Sequence, residues 1–201
     1  MLPPYATLGQ KREFCLQRYG TPQNFQSLFC ASKVAAYAKH PVKCVMGTAP
    51  QLYTLADAYG EPFPIQWLAT LFVGVSEFSG AKEKISPYQL QRLAEMFYNR
   101  YSDLKATEVM LFIEKLSAGD YGRFAWHSFD PVAVLEYAQH FRDYRNNIEE
   151  KERQRIHMEQ EREHDKRVAA SPRRNMHDFF DDVYRKMGVP GMIHFNENEK
   201  Q

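Results

Sequence analysis

Apolar side chains recur every three or four residues over most of the chain, a pattern typical of helices that bury one face. Thr7 is placed to cap a first helix that ends before Gly20. A second predicted helix begins at Pro22 and continues to a break at Pro41. The short apolar run at residues 42–46 fits an extended segment.

The middle of the chain has the strongest helical pattern. A third helix is predicted after Thr48, and an almost wholly apolar fourth helix begins at Pro64 and must lie inside the bundle. Ser86 caps a fifth helix whose first turn is preset by Pro87. A sixth helix is predicted over residues 105–116. Residues with this pattern need several neighbouring helices to cover them.

A compact aromatic segment at residues 119–131, called here the aromatic corner, separates the sixth helix from a seventh that Asp130 caps. Its two glycines and several aromatic side chains are unusual for a solvated loop, so we expect a structured corner packed on the fifth to seventh helices. Its alternation over residues 121–129 also fits a tiny β-hairpin, which would need packing on helices to be stable. Residues 48–143 are therefore predicted to form a helical core domain.

The chain changes character at residue 144. Residues 144–174 are nearly all charged or amide, with too few apolar positions for a coiled coil, so we predict a protruding charged helix and a hinge. Residues 175–201 are predicted to form a short amphipathic docking helix and a tail. The apolar face of this helix comprises Phe179, Phe180, Val183, Tyr184 and Met187. This face fits either a partner's groove or the protein's own core.

The fold class predicted from these patterns is mainly α, a compact multi-helix bundle with one aromatic corner. The longest apolar runs are too short to span a bilayer, and the first residues lack the basic-then-apolar layout of a secretory signal. The three cysteines have the spacing of neither a disulfide framework nor a metal site. We therefore expect a cytoplasmic protein that does not contact membranes.

The net charge of +1 conceals an uneven distribution. Residues 1–47 carry six basic residues against one acidic residue and are predicted to form a basic helical arm packed on the core. These basic residues are Lys11, Arg12, Arg18, Lys33, Lys39 and Lys43. The aromatic residues between them leave two interpretations, a nucleic-acid surface on which bases stack or the apolar faces of two helices.

Candidate catalytic chemistry is limited to His127 beside Asp130, a pair suited to acid–base work. A lone loop histidine among aromatic residues is more often structural. The chain has no phosphate-binding glycine loop, no dinucleotide fingerprint, no nucleophile elbow and no Cys-x-x-Cys pair. We therefore expect no cofactor and no metal, and we favour a function other than catalysis.

Short motifs are spread over residues 49–143. They are Ala49-Pro-Gln-Leu, Tyr59-Gly, Trp67-Leu, Glu77-Phe, Lys82-Glu-Lys, Tyr101-x-x-Leu-Lys-x-x-Glu, Phe112, Ala118-Gly-Asp-Tyr-Gly-Arg-Phe and Phe129-Asp-Pro. In these motifs the chain resembles an uncharacterised family encoded in Bacteroidales genomes, phages and mobile elements. The family is a domain of unknown function, so the resemblance implies a setting inside a bacterial host cell and does not imply an activity.

That setting suggests a non-enzymatic accessory protein, for example one that delivers or regulates a replicative helicase at DNA. In this hypothesis the basic arm contacts nucleic acid, a corner surface of Tyr121, Arg123 and Trp126 takes part in recognition, and the C-terminal helix docks a partner protein. Two alternatives stay open. One is a structural or assembly scaffold, and the other is a small hydrolase or transferase that uses His127 and Asp130.

Overall fold

The computed structural model describes residues 6–79, 85–122, 129–170 and 176–187, and in the last range it describes side chains only at residues 180 and 183–187. The described residues are almost entirely helical, which confirms the prediction of a mainly α, multi-helix fold. The helices are α1 Leu8–Tyr19, α2 Pro22–Leu28, α3 Val34–Ala38, α4 Pro41–Met46, α5 Leu52–Tyr59, α6 Pro62–Phe78, α7 Pro87–Tyr101, α8 Ala106–Ala118, α9 Pro131–Ala170 and α10 Met176–Met187. A 3-10 turn, Ala31–Lys33, lies between α2 and α3.

The chain divides into two units, residues 1–153 and residues 154–201. The hydrophobic core belongs to the first unit, and the basic arm contributes to it. Phe25 and Phe29 of the arm lie in the same cluster of buried side chains as Trp67. The arm is therefore an integral part of the helical bundle.

Two of the predicted helix starts are capped by reciprocal hydrogen bonds between two residues. At α1, Thr7 Oγ1 accepts a hydrogen bond from Gln10 N at 3.3 Å, and Gln10 Oε1 accepts one from Thr7 N at 2.9 Å. Ser86 and Gln89 make the same pair of bonds at α7, at 3.2 and 3.1 Å. Such caps satisfy N–H groups that have no partner in the first turn, and each is worth about 1 kcal/mol.

The second predicted helix is interrupted, which corrects the expectation of one helix reaching Pro41. It consists of α2, the 3-10 turn and α3. Side chains donate hydrogen bonds to the carbonyl groups at the end of α2. The pairs are Lys33 Nζ to Ser27 O at 2.7 Å, Tyr37 OH to Leu28 O at 3.3 Å and Trp67 Nε1 to Phe29 O at 2.7 Å. These bonds replace the backbone donors that a continuing helix would supply.

The expectation of an extended segment at residues 42–46 was wrong, because these residues belong to α4. The carbonyl groups in its last turn accept hydrogen bonds from the start of α8. Thr107 Oγ1 donates to Cys44 O at 2.8 Å, and Lys105 Nζ donates to Val45 O. A helix of six residues is not stable alone, so these contacts hold it in place.

The starts of α5 and α8 are joined by a short antiparallel pairing. Leu52 N donates to Leu104 O at 2.9 Å, and Ala106 N donates to Pro50 O at 2.8 Å. Among the described residues this isolated bridge is the one place where β-type pairing occurs. The end of α4 and the starts of α5 and α8 therefore meet at one place in the bundle.

Aromatic side chains make the largest contacts in the core. In a first group, fully buried Phe25 lies with its ring centroid 5.5 Å from that of Trp67 and joins α2 to α6. In a second group, Phe112 of α8 packs against Phe97 of α7 at 5.6 Å and Phe141 of α9 at 5.4 Å. Replacing such a buried ring by alanine typically costs about 3–5 kcal/mol. The two groups therefore carry much of the stability of the first unit.

The seventh predicted helix and the charged helix form one continuous element, α9, of 40 residues. Its buried positions lie near its start, at Val134, Leu135, Ala138 and Phe141. Every side chain over residues 154–170 is exposed. The change in composition at residue 144 therefore marks a change in surroundings within one helix, with no break in the backbone. Of the predicted hinge, residues 171–174 lie outside the described residues.

The second unit contains the end of α9 and the amphipathic helix α10. Side chains one turn apart on α9 form ion pairs. They are Arg155 with Glu159 at 3.1 Å, His157 with Glu161 at 3.4 Å when the histidine is protonated, and Arg167 with Glu163 at 3.9 Å. Each such exposed pair is worth a few tenths of a kcal/mol at most.

Candidate functional site

The six basic residues predicted to contact nucleic acid lie on α1, the 3-10 turn, α4 and the residue after α3. Five have exposed side chains, and Lys11 is half-buried. Within the described part of the chain, none of the six forms an ion pair with a carboxylate. Their positive charge is therefore available to an anionic partner.

Half of these cations are held by neutral groups. The bonds are Lys11 Nζ to Tyr53 OH at 2.8 Å, Arg18 Nη1 to Thr48 Oγ1 at 3.4 Å and Lys33 Nζ to Ser27 O at 2.7 Å. Neutral acceptors fix the position of a side chain and leave its charge uncompensated. For Arg12, Lys39 and Lys43, the described residues provide no such bond, so these three side chains extend into solvent.

The aromatic residues of the basic arm belong mostly to the bundle. Phe25 and Phe29 are buried at 0 and 3 % exposure, so neither offers a face to a base. Arg18 lies over the half-buried rings of Phe14 and Tyr19, 5.8 and 5.7 Å from their centroids. Phe25 and Phe29 therefore belong to helix faces that pack in the core.

A surface cavity of about 330 Å³, called here the α3–α4 cavity, opens within the basic region. It is lined by Ala36, Tyr37, His40, Lys43, Cys44 and Thr107. The ring of Tyr37 is held by stacking on Phe29, with centroids 5.3 Å apart. Burial raises the pKa of the Cys44 thiol to about 11, so this group stays neutral at ordinary pH. The cavity thus joins apolar walls to the side chains of His40 and Lys43.

The aromatic corner is described only at its two ends. Tyr121 packs against α8 and α9, with its ring 6.3 Å from that of Phe112 and stacked at 5.8 Å on that of Tyr137. Burial raises the pKa of the Tyr121 hydroxyl, which has no hydrogen-bond partner among the described residues. Arg123 and Trp126 lie outside the described residues, as does the centre of the predicted hairpin.

Of the candidate catalytic pair, only Asp130 is described. Its Oδ1 accepts a hydrogen bond from Val132 N at 2.8 Å, which makes it the cap of α9. His127 lies outside the described residues. The described geometry therefore gives Asp130 a structural role.

Pattern analysis missed an ion-pair network between α8 and α9 that is centred on one buried carboxylate. Glu108 is fully buried, and its Oε1 accepts a bond from Arg145 Nε at 2.8 Å while Oε2 accepts one from Lys105 N at 2.8 Å. Asp103 pairs with Arg145 at 3.3 Å and with Arg142 at 3.2 Å. The network joins Arg142 and Arg145 of α9 to Asp103 and Glu108 near the start of α8.

Burial raises the pKa of Glu108, although the hydrogen bonds from Lys105 N and Arg145 oppose that rise. Burial also opposes the charge on Arg145, but the carboxylates of Glu108, Asp103 and Glu149 together outweigh this effect and raise the pKa of the guanidinium. One signal was present in the sequence. Glu108 stands three residues after the capping position, Lys105, and before a wholly apolar run, which is the place of the acidic residue in a capping box.

Part of the apolar face predicted for α10 is described. Phe180 and Met187 are exposed at 49 and 71 %, and Val183 and Tyr184 are half-buried. The rings of Phe180 and Tyr184 lie 6.4 Å apart, one turn from each other. The side chain of Phe179 lies outside the described residues. Exposed apolar side chains on a short helix are typical of a docking surface.

Metal centres and membrane spans are two further classes of site. In the described ranges, no three or more His, Cys, Asp and Glu side chains are arranged to hold a metal ion. None of the described helices is sufficiently long and apolar to cross a membrane.

Comparisons of the chain with protein-family models, with curated proteins and with solved structures give no match. The Bacteroidales family resemblance therefore stays a prediction.

Proposed function

We propose that this protein is a non-enzymatic accessory protein of a phage or mobile element, which contacts nucleic acid through the basic arm and a partner protein through α10. A DNA-replication adapter of the helicase-loader kind fits this arrangement. The observation that carries the proposal is the set of six cations on the described part of the arm, none of them ion-paired there with a carboxylate. Such uncompensated charge is what a phosphate backbone neutralises.

Burial of Phe25 and Phe29 specifies the kind of contact that the arm makes with nucleic acid. With these rings inside the core, binding rests on contacts between cations and phosphates. The expected interaction is therefore strongly dependent on salt and largely independent of sequence.

The experiment is a fluorescence-anisotropy titration of the full chain with short single-stranded and duplex DNA over a salt series. A truncation of residues 1–47 is unsuitable, because that segment supplies buried side chains to the core. The test variant carries Arg12→Gln, Lys39→Gln and Lys43→Gln. Its matched control carries Lys151→Gln, Arg162→Gln and Lys166→Gln, which remove three exposed cations from α9.

The test variant is expected to bind at least about tenfold more weakly at low salt. For duplex DNA, the slope of log affinity against log salt should become shallower by about 0.9 for each phosphate that the variant no longer neutralises. The control should bind like the parent. Absence of binding at low salt would contradict the proposal. Equal weakening by both variants would also contradict it, because the effect would then follow net charge and not the basic arm.

An assembly scaffold is the second candidate, supported by the exposed side chains of Phe180 and Met187. Light scattering over a concentration series would detect self-association. A scaffold predicts association that Phe180→Ser with Met187→Ser abolishes, in a protein that does not bind DNA. The hydrolase alternative gains no support from the described residues, in which Asp130 serves as a helix cap.

A further inference from the structure

The geometry points to the α3–α4 cavity as a site for one unpaired base of a single-stranded nucleic acid. This inference rests on the proposed function and names the form of nucleic acid that the arm would recognise. The cavity volume of about 330 Å³ lies at the lower end of the range for small-ligand sites. It therefore suits one flat ring system.

The walls of the cavity favour an apolar, planar group. Three of the described lining residues use their side-chain hydrogen-bond donors within the protein. The bonds are Cys44 Sγ to Tyr37 O at 3.2 Å, Tyr37 OH to Leu28 O at 3.3 Å and Thr107 Oγ1 to Cys44 O at 2.8 Å. With these donors occupied, the walls offer methyl, ring and neutral thiol surfaces. A base has two such apolar faces and gains from leaving water.

The mouth of the cavity favours an anion attached to that group. Lys43 and His40 line it, and Lys39 precedes His40 in the chain. None of the described residues that line the cavity carries a carboxylate. A nucleotide combines a flat base with a phosphate, so the walls and the mouth would be occupied together. In a duplex the base is paired and stacked, and it would have to be extruded first.

An acidic peptide with an apolar side chain also matches the cavity itself. The surrounding charge decides between the two partners. A short peptide needs cations only at the mouth, whereas exposed basic residues also occur on α1 and in the 3-10 turn. A polyanion has enough phosphates to neutralise several of these cations at once. Single-stranded nucleic acid is therefore the occupant that the observations favour.

The test compares four fluorescent probes on the full chain at low salt: a thymine strand of about 12 nucleotides, an abasic strand of equal length, a duplex, and an acidic peptide with apolar residues. The abasic strand keeps the phosphates and lacks the bases. Ala36→Met fills the cavity from an exposed helix position, and Ala35→Met adds the same side chain at an exposed neighbour that does not line the cavity. Circular dichroism establishes that both variants fold.

The thymine strand is expected to bind about tenfold more tightly than the abasic strand. Ala36→Met should remove this difference and leave binding of the abasic strand and the duplex unchanged, and Ala35→Met should preserve it. Equal binding of the two strands, with the salt dependence intact, would overturn the base site and leave the proposed function standing. Failure of every nucleic acid to bind would overturn both. Peptide binding that Ala36→Met blocks, without any preference for bases, would assign the cavity to a protein partner.

Discussion

The first part of α9, residues 131–153, and its second part, residues 154–170, make different contacts although they belong to one helix. The first part buries Phe141 in the core and pairs Arg145 with buried Glu108. The second part exposes every side chain and pairs charges along its own surface. Charged residues therefore join α9 to the core in the first part and join neighbouring turns of the same helix in the second part.

The contribution of a charged residue to stability depends on how far its ion pair is buried. Arg145 has 16 % of its side chain exposed and joins two helices, whereas Arg155 has 59 % exposed and joins two turns of one helix. Breaking a buried pair leaves a charge that neither water nor a partner stabilises. Breaking an exposed pair returns both charges to water at almost no cost.

Replacement of apolar side chains should give the largest contrast between the two parts. Phe141→Ala should lower the free energy of unfolding by about 4 kcal/mol, because it leaves a cavity among fully buried rings. Val168→Ala, at a side chain exposed at 59 %, should change it by less than about 0.5 kcal/mol. Urea denaturation followed by circular dichroism measures both. Equal losses would show that the second part of α9 is also packed.

The second largest contrast is between ion pairs. Glu108→Ala should destabilise the protein by about 3 kcal/mol, because Arg145 keeps a partly buried charge and its longer pairing with Asp103 compensates it less well. Arg155→Ala should cost less than about 0.5 kcal/mol. Urea denaturation of the single variants and of Glu108→Ala with Arg145→Ala yields the coupling energy. A coupling near zero would mean that Glu108 acts through its hydrogen bond from Lys105 N and through packing, and not through Arg145.

The loss of stability on breaking the pair between Arg145 and Glu108 should also depend on pH. In Arg145→Met, Glu108 loses its cation, so its pKa in the folded state rises further above the value in the unfolded chain. Between those two pKa values the unfolded chain releases the proton more readily, so stability falls as the pH rises through that interval. The stability deficit of Arg145→Met should therefore shrink by about 1–2 kcal/mol from pH 7 to pH 4.5.

Urea denaturation at steps between pH 4.5 and pH 7 measures this trend, and Arg155→Met is the control on the exposed part of α9. A deficit of Arg145→Met that does not change with pH would assign Arg145 a packing role without an electrostatic one.

The smallest predicted effect concerns Tyr121, which packs on the first part of α9. Its ring contacts Phe112 and Tyr137, but its buried hydroxyl has no partner among the described residues. Tyr121→Phe should therefore leave stability unchanged or raise it by up to about 1 kcal/mol. Tyr121→Ala is the control, and it should cost a few kcal/mol. A clear loss in Tyr121→Phe, measured by thermal melting, would reveal a partner for the hydroxyl.

Helix starts marked by local chemistry were predictable from the sequence. Thr7 and Ser86 each have a glutamine three residues later, and both form the expected cap. The interruption after α2 was not predictable, because the carbonyl of Phe29 binds Trp67 from a distant part of the chain. Periodicity reports which face of a helix is apolar and contains no information about such a donor.

The candidate site was predictable in the same limited sense. Charge counting identified the six basic residues, and the exposure of five of them follows from the cost of burying an unpaired cation. Counting did not identify the α3–α4 cavity, which needs Thr107 of α8 beside Tyr37 and Cys44. It also left open whether the aromatic residues of the arm were available to bases or belonged to helix faces, and Phe25 and Phe29 are inside the core.

The ends of α2 and α4 have a consequence for how the chain is made. Their terminal carbonyls accept hydrogen bonds from Trp67, Lys105 and Thr107. These donors leave the ribosome long after the helices themselves. Both helices are therefore completed only after these later residues have been synthesised. Until the start of α8 emerges, a basic and aromatic stretch of nascent chain stays open to chaperones.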